Sequence, residues 1–320
     1  MERKTRLRIA LSLGSLALTF AALEITGRVV VPAPVERKDG FRNDDQLGWI
    51  LPKGEQMVWR GKQAQVNSLG FRGSEPVPGM PSVVIVGDSS VFGDGVEDDQ
   101  TMSAQLARAL DGRADVQNAG VPGYTCWQSR IWVDRVRPQL SPDVLVVYNQ
   151  HSDYRRASSH DRVIAATQLG WLANTGIGGL ISYLSLRQRM SANASNLSMD
   201  EYGTCLRDIA QDQRSAGGSV VFVQPISEVD FPNSPLFGQP EPGEPGTRLV
   251  DYQDTMRSVA TAIDAPFVVG SAAVQAAGLG GDAALIDTVH PTAAGHAALA
   301  QGIASAIVGS GLLGTSPSKR

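Results

Sequence analysis

Short, uninterrupted apolar runs rich in β-branched residues recur along this chain, and they constrain its fold more than any other feature. Ser82–Gly87 reads SVVIVG, Val144–Tyr148 reads VLVVY, Ser219–Val223 reads SVVFV and Pro266–Val269 reads PFVV. Runs without polar alternation suit strands buried on both faces, the environment of a parallel sheet. Asp115–Gln117 is a shorter candidate before Asn118. Helical patterns fall between the runs, at Ser103–Leu110, Trp127–Arg137, Met199–Ser215, Leu249–Ile263 and Ala293–Val308. Strands alternating with helices imply βαβ units. Right-handed crossovers then gather the C-terminal strand ends on one edge, where ligands bind.

Composition narrows the functional classes. Charged residues make up 19% and the hydrophobic set 42% of 320 residues, which excludes a wholly disordered chain. A mean hydropathy of −0.09 excludes a multi-span membrane protein. The net charge of −4 argues against a nucleic-acid partner. Cys126 and Cys205 are too few for a disulfide scaffold or a cysteine zinc site, although they can pair in an oxidising compartment.

The charge is unevenly placed. Residues 1–40 carry +3 and the remaining 280 carry −7. Arg3, Lys4, Arg6 and Arg8 precede Ile9–Leu23, fifteen residues without a charge. Cations stay cytoplasmic, so the rest of the chain is expected outside a bacterial inner membrane, in the periplasm or beyond. Ala21-Ala22-Leu23 followed by Glu24 is a poor cleavage site. The span reaches membrane length if it continues to Pro32, which favours an uncleaved anchor over a secreted form. The organisation read from the sequence is an anchor or signal segment at 1–31, a linker and N-terminal extension at 32–80, a main domain at 81–311 with an insertion at about 154–198, and a tail at 312–320. Val31–Gly40 reads as linker, and Pro225–Gly246 as a Pro/Gly-rich surface loop.

Two pieces could carry chemistry. The first strand ends in Gly87-Asp88-Ser89-Ser90, which puts a serine on the ligand edge. Alone this is equally a helix cap. Near the C-terminus, Asp287-Thr-Val-His290-Pro291 spaces a carboxylate and an imidazole for one turn of chain. The carboxylate can orient the ring while its other nitrogen accepts a serine proton. His151, His160 and His296 show no metal-ligand spacing, and no cofactor is implied. Tyr124 and Trp127 beside Gly123 suit either a sugar-stacking surface or the core.

Together, Gly-Asp-Ser after the first strand, Asn118-Ala-Gly-Val-Pro-Gly123 after the second and the late Asp-x-x-His-Pro resemble the SGNH (GDSL-type) hydrolases, and the flanking Ser89-Ser-Val-Phe-Gly-Asp-Gly-Val-Glu97 and Asn67-Ser-Leu-Gly-Phe-Arg-Gly73 look like those of membrane-anchored bacterial members. The resemblance implies a three-layer α/β/α sandwich with a five-stranded parallel sheet in flavodoxin-like order. It makes Ser89 the nucleophile, His290 its base and Asp287 the orienting carboxylate. The Ser89 and Gly123 N–H groups become oxyanion donors, and Asp88 holds the turn. The family usually supplies a further donor from the Asn of a Gly-x-Asn-Asp motif after the third strand. Here that place reads Gln150-His151-Ser152-Asp153, with Ser152 at the Asn position and Asn149 three residues earlier. Both are candidate donors, and Gln150 is another amide candidate. A missing donor costs about 2.7–4 kcal/mol of transition-state stabilisation. The implied activity is a serine esterase on carbohydrate O-acyl or lipid-like acyl esters. An O-acyltransferase to a glycan and a non-catalytic binding module are the alternatives.

Overall fold

A computed structural model describes residues 3–31, 40–158, 175–231 and 248–313. Helix α1 (Arg3–Val30) is followed by two short antiparallel hairpins, β1 (Arg42–Asp44) with β2 (Gly48–Ile50) and β3 (Gln56–Trp59) with β4 (Lys62–Gln65). Strand β5 (Ser82–Gly87) opens the main sheet and is joined by β6 (Asp115–Gly120), β7 (Val144–Tyr148), β8 (Ser219–Gln224) and β9 (Phe267–Val269). The order is β6-β5-β7-β8-β9, all parallel. The chain steps outward from β5 to β6 and then back to β7. The topological switch therefore lies at the C-terminal end of β5, where such sheets bind ligands.

Each strand divides its side chains between two apolar layers with a period of two. Val84, Val86, Leu145 and Val147 face one cluster, while Val83, Ile85, Val144 and Val146 face the other. The first cluster is closed by α4 (Cys126–Val136), α7 (Met199–Ser215) and α8 (Leu249–Ala262), together with the two hairpins. The second is closed by α3 (Met102–Ala109), α9 (Gly270–Ala276) and α11 (Ala293–Gly309). The parallel sheet is the one that the continuous β-branched runs imply, and the α/β/α sandwich is the one that the family resemblance implies. Short helices α2 (Ser89–Phe92), α5 (His151–Tyr154) and α10 (Gly281–Ala284) sit near the ligand edge, and α6 (Gly176–Ser191) precedes α7.

The extension is built into the domain. Leu47, Trp49, Leu51, Val66 and Phe71 are buried in the first layer. Asn67 is its hub: Oδ1 accepts from the Leu69 and Phe71 N–H groups, and Nδ2 donates to Ser74 O and Gln117 Oε1. Arg72 is buried too. It pairs with Asp98 at 2.7 Å and donates to the carbonyls of Phe92, Gly93, Val96 and Gln63. Five donors in a rigid fork thus tie the extension to the loop after the first strand.

Cys126 and Cys205 form a disulfide that joins the start of α4 to α7. Within α1, Leu7–Val30 is long and apolar enough to cross a membrane, and it is exposed along most of its length. Its last turns cross the start of α6 closely. A Cβ on Gly27 would lie 1.8 Å from Gly176 O, and Ile177 N–H donates to Glu24 Oε2. Most of the linker, the first part of the insertion with His160, most of the 225–246 loop and the tail lie outside the described residues.

Candidate active site

The strand ends determine where the reactive groups stand. β5 stops at Gly87 because nothing larger fits there: a Cβ would meet Val91 Cγ2 at 2.5 Å and Tyr148 O at 2.8 Å. Asp88 then caps α2, its Oδ1 accepting from Ser90 N–H at 3.0 Å. Ser89 is left at the first position of that helix with its hydroxyl facing the 287–290 turn. Ser90 Oγ donates to Val289 O at 3.0 Å and clamps the two segments together.

The Asp287 turn is closed by its own carboxylate. Oδ1 accepts from Val289 N–H and His290 N–H at 3.0 and 2.9 Å. The same carboxylate meets His290 Nδ1, with Oδ2 at 2.7 Å. That contact puts the ring proton on Nδ1 and leaves Nε2 as an acceptor, 2.8 Å from Ser89 Oγ. Burial opposes a charge on His290, but Asp287, then Asp94 and Asp88, outweigh it and raise the imidazole pKa. Burial likewise pushes Asp287 up, yet its bonds to His290 and to two N–H groups hold it well below the usual carboxylate range.

Gly123 takes φ +85°, a conformation that favours glycine. Its loop is fixed from the extension side, with Trp49 Nε1 donating to Pro122 O and Tyr124 OH donating to Trp49 O. Among the described residues, neither the Ser89 N–H nor the Gly123 N–H donates to a protein acceptor. Tyr124 belongs to the core, and Trp127 packs half-buried beneath Arg130.

The side chains expected as further oxyanion donors are engaged elsewhere, Gln150 Nε2 donating to Leu249 O at 3.1 Å. Asn149 is fully buried and its Nδ2 donates to Ser129 Oγ at 3.0 Å. Ser152 presents both its N–H and its hydroxyl to Asp88 Oδ2, at 3.1 and 3.0 Å. With serine in place of asparagine, the shorter side chain is satisfied by the nearest buried carboxylate. Asp88 is thereby held from both sides. Both ring nitrogens of His151 are buried and unpartnered, and burial lowers its pKa to about 4. His296 is likewise buried, with its pKa lowered to about 3.

The structure also brings in residues that the sequence did not single out. Asp94 is only 2% exposed and lies 3.4 Å from His290 Nε2. Trp59 Nε1 donates to it, and Arg60 Nε lies 3.4 Å away. The sole sequence signal for Asp94 is its place between Gly93 and Gly95, both with positive φ, five residues after Ser89.

The profile of the GDSL-like Lipase/Acylhydrolase family matches residues 85–298. Among solved structures, a GDSL-like lipase from Bacteroides thetaiotaomicron aligns at a TM-score of 0.46 and 16% identity, over 74% of this chain and 92% of that one. The acetylxylan esterase Axe2 from Geobacillus stearothermophilus aligns at 0.46 and 18%, over 71% and 94%. LAE5, an alpha/beta hydrolase enzyme from the metagenome of Lake Arreo, aligns at 0.46 and 18%, over 73% and 97%. No curated protein matches the chain.

Proposed function

The chain belongs to the GDSL-like lipase/acylhydrolase family, and from that premise we propose that it is a serine esterase working through Ser89, His290 and Asp287. His290 Nε2 takes the hydroxyl proton as Ser89 Oγ attacks the ester carbonyl carbon. The negative charge moves to the carbonyl oxygen, where the Ser89 and Gly123 N–H groups receive it. The imidazolium then gives its proton to the departing alkoxide, and an acyl-enzyme remains. Water, deprotonated by the same nitrogen, attacks the acyl carbon and releases the acid and free Ser89. The oxyanion site is a two-donor site of backbone groups. No side-chain donor belongs to it, because the Ser152 hydroxyl is given to Asp88 and Asn149 is fully buried against Ser129.

The observation that carries this reading is the unbroken contact chain from Asp287 Oδ2 through His290 to Ser89 Oγ, at 2.7 and 2.8 Å. The substrates are acyl esters of carbohydrate or lipid-like alcohols. Helix α1 serves as the membrane anchor, with residues 81–311 as the catalytic domain on the outer side. The test is labelling by a fluorophosphonate probe. Wild type labels, while Ser89→Ala and His290→Ala do not. Equal labelling of wild type and Ser89→Ala would sink the assignment.

A further inference from the structure

The family triad accounts for one carboxylate on His290. The structure places a second one on the ring's other side. Asp94 sits in a loop turned inward by Gly93 at φ +96° and Gly95 at φ +83°. Its N–H donates to Ser89 O at 3.1 Å, so it is fixed to the nucleophile's own backbone. Oδ1 accepts from Trp59 Nε1. Oδ2 is buried without a hydrogen-bond partner and lies 3.4 Å from His290 Nε2. Arg60, on the turn between β3 and β4, bridges the two carboxylates, with Nε 3.4 Å from Asp94 Oδ2 and Nη1 4.0 Å from Asp287 Oδ2.

In the resting state this contact is unproductive, since Nε2 presents a lone pair to Ser89 and a carboxylate oxygen beside it has nothing to accept. Once Nε2 has taken the serine proton, the same oxygen faces an N–H of an imidazolium, and the contact becomes a charge-assisted one. An interaction that strengthens only on the way to the transition state accelerates the reaction. We propose that Asp94 is a second positioning carboxylate of the triad, stabilising the His290 imidazolium from the Nε2 side, and that Arg60 of the N-terminal extension sets the strength of that effect. This rests on the reading of Ser89 and His290 as nucleophile and base.

The surrounding charges agree with it. Asp287, Asp94 and Asp88 face His290 and favour its cation against the cost of burial. Burial pushes the Asp94 carboxyl up, while His290 and Arg60 pull it back down. His151 and His296 lie within electrostatic range, but burial disfavours their charged forms, and the Arg72 charge disfavours that of His296 further.

The test is the pH profile of kcat/KM for p-nitrophenyl acetate, using the full chain in detergent. Asp94→Asn keeps an acceptor for Trp59 and removes the charge, with an NH2 in place of the second oxygen. Its acid limb is expected to move down by about one pH unit, with a plateau loss of about tenfold. Arg60→Gln, at an exposed position, is expected to move the limb up, because both carboxylates then act on His290 uncompensated. A purely structural Asp94 would lower the plateau and leave the limb in place. Limbs unmoved in both variants, with a wild-type limb that vanishes in His290→Gln, overturn this proposal alone. A wild-type limb that survives in His290→Gln overturns the triad reading beneath it.

Discussion

Breaking the Cys126–Cys205 bond is the perturbation with the largest effect that the structure allows to be worked out. The two cysteines are 79 residues apart in sequence and fully buried in the first apolar layer. In the chain-entropy description, a closed loop of that length removes about 15 cal/mol/K from the unfolded chain, or about 4.5 kcal/mol at 25 °C. For a domain of this size, each kcal/mol moves the midpoint by about 2–4 °C, so the reduced protein should unfold about 9–18 °C lower. The assay is thermal unfolding of the full chain, oxidised, and then reduced in urea and refolded with its thiols held reduced. The reduced wild type isolates the cross-link, since both sulfurs stay in the core. Cys126→Ala/Cys205→Ala adds the loss of buried volume and should melt lower still. A functional readout accompanies it, because Cys126 follows Gly123 by three residues and its N–H is held by Asp153 at 2.7 Å. A looser start of α4 loosens the Gly123 donor, and kcat should fall with it. Reduced wild type that melts within about 1 °C of the oxidised protein would refute the reasoning, since the loop would then constrain nothing in the unfolded chain.

Three further outcomes follow from named contacts. Arg72→Lys cannot reproduce five fixed donors, leaves buried carbonyls unpaired and should cost at least about 2 kcal/mol, read as a lower urea midpoint. Gly120→Ala would put a Cβ 2.4 Å from Phe92 N, so backbone must shift; a loss of about 1–3 kcal/mol is expected in urea unfolding, together with a fall in kcat as the Ser89 helix is displaced. Burial pushes the Asp153 carboxyl up to about 8, partly countered by the Cys126 N–H. A folded-state pKa above the unfolded value near 3.9 means that the native state holds the proton longer. This group's stabilisation is therefore full below about pH 4 and is lost as pH rises towards 8. Asp153→Asn should flatten that fall, and unfolding midpoints of the two proteins that run parallel from pH 5 to pH 8 would contradict it.

The strands were legible because β-branched residues fill them without interruption, and each helix between them carried its own cap or apolar stripe. The reading of β6 stopped at Gln117, whereas pairing with β5 runs to Gly120. Asn118-Ala-Gly has no β-propensity of its own; Asn118 is held by its side-chain bond to Val91 O and by the neighbouring strand. Ser89, His290 and Asp287 were legible since each sits at a strand end or in a self-closing turn. The fates of Ser152 and Asn149 were not, because they depend on which buried acceptor lies nearest in space. Asp94 escaped notice for a related reason. Its inward direction is set by two flanking glycines, and its partners Trp59 and Arg60 come from a hairpin far upstream.

The β3–β4 hairpin makes its own two-stranded pairing and lends no strand to the five-stranded sheet. It nevertheless supplies the cation that stands between two carboxylates of the reactive centre. The scaffold and the tuning of its chemistry are thus written in separate stretches of sequence. Substitutions at the hairpin tip leave sheet pairing, glycine packing and the strand-end motifs untouched while changing the charge that the base feels. Two enzymes with identical serine and histidine motifs can therefore diverge in working pH through this turn alone. For laboratory evolution, Arg60 is the place to diversify first, and Gly87 and Gly120 are the positions to leave fixed.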